Sequence, residues 1–231
     1  VRILLINPNT TESVTALVMQ NVADIAGAAA EFVPVTGRFG ARYISTRASA
    51  AVAGHAALDA YAVHRAGCDA VYLACFGDPG LLALREIADV PVVGMAEASC
   101  IEAAKRGRFA IVTGGTLWGP MLTEFVSSIG LGDKLACVRT IAPTGGEIAQ
   151  NPDAALAALA SACNACVKED NAEVVILGGA ALAGLAARIQ PDVPVPVLCS
   201  VEIGTRAVIA AAARHRDDKA APPALESTGL S

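Results

Sequence analysis

Aromatic residues are scarce in this 231-residue chain, at 4%, and charged residues make up only 17%. That composition describes a packed, alanine- and valine-rich protein rather than a disordered one. With 22 acidic against 17 basic residues and a net charge of −5, no basic stripe is present to neutralise a phosphate backbone, which excludes nucleic acid as a partner. Long apolar runs are also missing. The longest, residues 174–187, contains three glycines and falls short of the roughly 18 residues of a membrane span. The opening Val1-Arg-Ile-Leu-Leu-Ile6 runs straight into Asn7-Pro8-Asn9 without a cationic region or cleavage site. It reads as a strand, and the chain as a soluble cytoplasmic protein with no membrane partner. The seven cysteines (68, 75, 100, 137, 163, 166 and 199) form an odd set without an export signal, so no disulfide framework is expected. Cys163-Asn-Ala-Cys166 has a CxxC spacing but no second pair and no nearby histidine, and no metal site is read there.

What the chain does have is apolar bulk, 54% hydrophobic, in a length that buries roughly 70–75% of its unfolded surface. Short apolar runs alternate with segments of helical period. Residues 2–6, 32–35, 70–74 and 90–94 read as strands, and the segments from Thr10 to Gly27, Ala48 to Ala66, Gly80 to Ala88 and Glu97 to Gly107 as helices. That alternation implies βαβ units and a parallel sheet. Asn9 is placed to cap the first helix, with Glu12 three residues on completing a capping box. The amides and hydroxyls there suit an anion at a helix start, or a well-capped helix that binds nothing.

Asp69-Ala-Val-Tyr-Leu-Ala-Cys75 is an apolar strand that ends in a thiol, followed at once by turn residues Phe76-Gly-Asp-Pro-Gly80 and a helix. The strand-to-helix turn of an α/β protein is where a nucleophile or base is placed. A buried core cysteine is the alternative, because free cysteine is among the most buried residue types. Residues 36–47 form a polar loop with two arginines, Tyr43 and several hydroxyls, suited either to folding over a small ligand or to lying in solvent. His55 and His64 read as ordinary helix residues.

The second half repeats the first. Arg2 to Thr10 lies over Arg108 to Thr116 (108 − 2 = 106), Cys75 with Gly80-Leu81 over Gly179 with Gly184-Leu185 (179 − 75 = 104), and Pro91 to Glu97 over Pro196 to Glu202 (202 − 97 = 105). Offsets that drift so little argue for two copies of one half-domain. Two such copies about a pseudo-twofold axis aim Cys75 and position 179 at one crevice from opposite sides, at the carboxyl edges of their sheets.

Ile6-Asn7-Pro8-Asn9-Thr10, Ala74-Cys75-Phe76-Gly77-Asp78-Pro79-Gly80-Leu81, Pro91-Val-Val-Gly94-Met-Ala-Glu97-Ala98 and Leu177-Gly178-Gly179-Ala180 together resemble the aspartate/glutamate/hydantoin racemase superfamily. The likeness is greatest to its hydantoin and allantoin racemase branch, and it runs to about residue 215. It implies two pseudo-twofold-related, Rossmann- or flavodoxin-like parallel-sheet half-domains with the active site in the crevice between them. The first half spans 1–97, joined by a C-terminal helix 201–215, and the second spans 98–200. It also implies an isomerase that moves an α-proton without a cofactor, and a homo-oligomer. By the same likeness Cys75 is a catalytic thiol. Asn9, Thr10, Tyr43, Phe76, Gly77, Thr113, Thr116, Gly179 and Ala180 would bind a small substrate bearing a carboxylate or imide, while Glu97 and Glu202 have no role beyond support. Proximity to a helix start is expected to lower the Cys75 pKa and favour the thiolate.

The departure is at Gly179, where members of the superfamily resembling this chain carry a second catalytic cysteine. Cys199, at the end of the next strand, is the nearest substitute. Three readings stay open: a racemase or epimerase pairing Cys75 with Cys199, water or a substrate group; a one-base enzyme resembling arylmalonate decarboxylase; and a ligand-binding member without catalysis. Trp118, the only tryptophan, begins a helix to about Ile129 and either anchors the core or shapes the cavity. Residues 216–231 read as a disordered tail.

Overall fold

The computed structural model describes residues 1–217. In chain order the elements are β1 (Arg2–Asn7), α1 (Glu12–Ala26), β2 (Glu31–Thr36), α2 (Arg47–His64), β3 (Ala70–Leu73), α3 (Leu81–Ile87), β4 (Val92–Gly94) and α4 (Met95–Arg106). The second set is β5 (Phe109–Gly114), α5 (Trp118–Ser128), β6 (Leu135–Ile141), α6 (Gly145–Gln150), α7 (Pro152–Asp170), β7 (Val174–Leu177), α8 (Leu185–Ile189), β8 (Val197–Cys199) and α9 (Ser200–Asp217). Of the tail read over residues 216–231, residues 218–231 lie outside the described residues, while 216 and 217 belong to α9.

Two four-stranded parallel sheets result, ordered β2-β1-β3-β4 and β6-β5-β7-β8. The second order is the first shifted by four, as the repeat requires. Alternate side chains on a strand face opposite ways, and each central strand divides its residues accordingly. Ile3 and Leu5 of β1, Ala70 and Tyr72 of β3, Phe109 and Ile111 of β5, and Val174 and Ile176 of β7 all enter one shared core. Leu4, Ile6, Val71 and Leu73 face a second core beneath α2 and α3, while Ala110, Val112, Val175 and Leu177 face a third beneath α7 and α8. Strands buried on both faces read as continuous apolar runs, which is why these four stand out in the sequence.

Residues of α1, α4, α5 and α9 join the shared core. Here the chain exchanges elements: α4 follows the first sheet but packs on β7, β5 and β8, whereas α9 follows the second sheet and packs on α1, β3 and β4. The buried Tyr72 hydroxyl of β3 donates to the Val201 carbonyl of α9 at 3.3 Å, over a backbone kept open by Gly204.

One local expectation is corrected, and one strand had no sequence reading. The N-cap of α1 is Thr11, which makes no side-chain cap bond, and Glu12 is the first helical residue. Asn9 instead accepts from the Thr11 N–H at 2.8 Å and from Asn7 Nδ2 at 3.0 Å, so its amide is fixed in the turn before the helix. Strand β6 was not marked by any apolar run: it is a half-buried edge strand that carries Cys137, Arg139 and Thr140. Among the described residues, no helix is long and apolar enough to cross a membrane.

Candidate active site

The carboxyl ends of β1, β3, β5 and β7 converge on one cleft with about 630 Å³ of empty space, counting its open mouth. Asn9, Tyr43, Cys75, Phe76, Thr113, Gly179 and Ala180 line it together with Thr11, Arg42, Ala74, Gly114, Trp118, Gly145, Gly146, Gly178 and Leu182. The lining is mostly apolar, with a few polar groups aimed inward, the usual make-up of a small-molecule site.

Cys75 sits two residues past β3 and is 8% exposed. Its carbonyl accepts from the Asp78 N–H at 3.1 Å, closing a tight turn in which Gly77 has φ +117° and Asp78 φ +46°. At Gly77 a side chain would meet the Trp118 ring 2.7 Å from its Cβ, so glycine is needed both for the backbone and for the tryptophan. The N–H groups of Phe76 and Gly77 have no protein acceptor among the described residues. The turn aims the Asp78 side chain inward, where it accepts from the Ala96 and Glu97 N–H groups at 2.9 and 2.7 Å and caps α4. Burial lifts the Asp78 carboxyl to about 7 against the pull of those two donors. Glu97 is itself held by Arg85 in a two-point ion pair, and Glu202 by Arg206 one turn along α9.

Burial, and after it the charge of Asp78, push the Cys75 thiol well above its ordinary value. The expected lowering fails because burial disfavours the thiolate and the Asp78 carboxylate lies in the same turn, while α3 starts only at Leu81. Cys75 therefore rests as a thiol. Its alkylation by iodoacetamide, followed by peptide mass spectrometry, is expected to be slower than that of a free thiol at neutral pH. The rate should keep rising above pH ~8.5, where a free cysteine levels off. A plateau below that pH would contradict the assignment of its surroundings.

Opposite Cys75 stands Gly179, with φ +143° and its N–H donating to Ser200 Oγ at 3.1 Å. A Cβ placed there would lie 3.8 Å from Thr113 Oγ1 and 3.5 Å from Leu182, so the space exists but the backbone does not suit a side chain. Thr113 Oγ1 has no hydrogen-bond partner, yet no buried side-chain polar atom is left unsatisfied among the described residues, so this hydroxyl reaches accessible space beside Gly179. The Asn9 amide is in the same position: its Oδ1 is committed to the turn, and its Nδ2 remains as a free donor at the cleft. The Tyr43 hydroxyl donates to the Gly114 carbonyl at 2.9 Å, drawing the 36–47 loop across the two halves. The Phe76 ring presses on Gly178, where a Cβ would approach it at 2.5 Å.

Four residues named from the sequence lie elsewhere. Thr10 uses its N–H on the Ala41 carbonyl while Thr11 faces the cleft; Thr116 is exposed, and Gly77 lies beneath Trp118. Cys199 lines two other depressions, one with Asn21 and Asp24 and one with Glu97 and Arg206. Cys199 is not among the residues that line the cleft, and on that side it is Ser200, the first residue of α9, that reaches Gly179. Arg42 at the mouth and Trp118 in the wall were not named as binding residues. The two arginines of the 36–47 loop and the lone tryptophan were the available signals.

Residues 3–208 match the sequence profile of the family described as Asp/Glu/Hydantoin racemase. The chain is 34% identical to a hydantoin racemase of Paenarthrobacter aurescens, over 89% of this chain and 88% of that protein. It is 31% identical to a hydantoin racemase of Pseudomonas sp. (strain NS671), over 89% and 83%. Among solved structures, an allantoin racemase from Pseudomonas fluorescens superposes with a TM-score of 0.89 at 29% identity, covering 99% of this chain and 100% of that one.

Proposed function

The chain belongs to the Asp/Glu/hydantoin racemase family, and on that footing we propose that it is a cofactor-independent racemase or epimerase of a hydantoin-type or amino-acid substrate, with Cys75 moving the α-proton. One observation carries this reading. Arg42 and Tyr43 aside, Cys75 is the only titratable residue lining the cleft among the described residues, and the groups around it are hydrogen-bond donors. Asn9 Nδ2 and the Phe76 N–H, both on cleft-lining residues and without a protein acceptor, would stabilise the oxygen that becomes negative as the carbon beside a carbonyl loses its proton. A thiol with a raised pKa is a weak acid at rest but a strong base once ionised, which brings it nearer the acidity of such a C–H bond. On the other face, in the space left open at Gly179 beside the Thr113 hydroxyl, a solvent water would give a proton as Cys75 takes one, and the hydroxide left would be neutralised through solvent by the Cys75 proton before the next turnover.

That open space also supports a second reading, a one-base enzyme in which the Cys75 thiol protonates an enolate from a single face. Incubation of enantiopure hydantoins, allantoin, aspartate and glutamate in heavy water separates the two. The racemase reading expects deuterium in both enantiomers of one substrate together with decay of optical rotation. Label confined to one enantiomer favours the one-base enzyme. No label in any substrate of the panel would sink both and leave a binding protein.

A further inference from the structure

Away from the cleft, Cys137, Cys166 and Asp170 each bring one ligand atom to within 4.8 Å of the others. Cys137 is the third residue of β6, while Cys166 and Asp170 are one turn apart at the end of α7 and so share a helix face. The CxxC pair does not act as a unit: both cysteines pack into the outer core of the second half, but Cys166 alone of the two has its sulfur beside Cys137 and Asp170. The cluster lies toward the amino edge of the sheet, four residues and about 13 Å back along β6 from Ile141, the end that leads to the cleft.

Three features make the cluster suited to a cation. Two sulfurs and a carboxylate are a donor set that zinc-class ions accept. Arg139, two residues along β6, binds Asp170 Oδ2 at 2.7 Å and Glu169 at 2.6 Å, which fixes the carboxylate in the way that outer groups orient metal ligands. Two thiolates and a carboxylate around a divalent ion leave one negative charge, which the Arg139 guanidinium offsets. The helix also ends here, with the Asn171 and Ala172 N–H groups turned back onto the Cys166 carbonyl, and the negative end of a helix dipole favours a cation. All three candidate ligands belong to the described residues, Cys137 is half-buried and gives access, and neither thiol is in a disulfide.

We propose that Cys137, Cys166 and Asp170 form a three-ligand site for a zinc-class divalent cation, with water as the fourth ligand, that ties the edge strand β6 to the end of α7. Each S–H proton passes to solvent as its sulfur–metal bond forms, and no oxidant is needed. Titration of the reduced, full-length protein with Co²⁺ under nitrogen is the test. The expected result is one Co²⁺ per chain, a thiolate-to-cobalt charge-transfer absorption, and its disappearance on adding Zn²⁺. The absorption should be lost in Cys137→Ser, a half-buried position whose replacement leaves the far-ultraviolet circular dichroism intact, and kept in Cys75→Ala and Cys199→Ala. Asp170→Asn should weaken binding by at least ~10-fold. The proposal is overturned by absence of the absorption in the native chain, by its survival in Cys137→Ser, by its loss in Cys75→Ala, by unchanged affinity in Asp170→Asn, or by a Cys137–Cys166 disulfide in peptide maps of the native protein.

Discussion

Cys75→Ala is expected to lower α-proton exchange by ~10²–10⁴-fold or more, the range over which a positioned acid or base acts, while leaving the fold intact. The side chain is small and stands at the rim of the shared core, so its loss removes little packing. Around it, the donors at Asn9 and Phe76 stay in place, because they depend on the Asn7–Thr11 turn and on the backbone between Cys75 and Asp78 rather than on the sulfur. Substrate affinity should therefore change little, and the loss should fall on turnover; rates and binding measured side by side in heavy water check this. Exchange at the native rate in Cys75→Ala would remove Cys75 from the chemistry. Weakened binding with unchanged turnover would make it a wall of the cleft.

The second large effect concerns stability. Gly94 has φ −86°, which any residue adopts, yet a methyl there would overlap the Asp78 carboxylate. Gly94→Ala must therefore push that side chain off the Ala96 and Glu97 N–H groups, and Asp78→Ala removes it outright. Either change strands two N–H donors at the start of α4, one buried and one part-buried, at a cost of about 2–4 kcal/mol. In the double variant the new methyl occupies the space the carboxylate left. The two costs then share one cause, and a coupling of about 1–3 kcal/mol is expected in urea denaturation of the four proteins. Simple additivity would mean that Gly94 and Asp78 act on stability independently.

The fold was legible where burial is complete. Strands β1, β3, β5 and β7 are apolar on both faces and announce themselves, and their repetition at a near-constant offset gave the two sheets. Strand β6 was hidden because its residues are half-buried and include a charge. In the site, Cys75 was marked by its place after a strand, but its acidity was not: that depends first on how deeply the folded chain buries the thiol and then on Asp78, whose backbone takes a left-handed conformation in the same turn that no composition reveals. Choosing Thr11 over Thr10, and Ser200 over Cys199, is a matter of which way single side chains point once the turns are set. Arg42 reaches the cleft mouth because Tyr43 anchors its loop to the opposite half.

The exchange of α4 and α9 bears on how such a molecule comes into being. A half-length chain with its closing helix placed as α4 is here would leave bare the face of its own sheet that α9 covers, and would cover that face only by lending its helix to a second copy and taking one in return. Joining two copies end to end turns that loan between molecules into a contact within one. From then on the two faces of the cleft are free to diverge, so that a thiol can stand on one side at Cys75 and bare backbone on the other at Gly179.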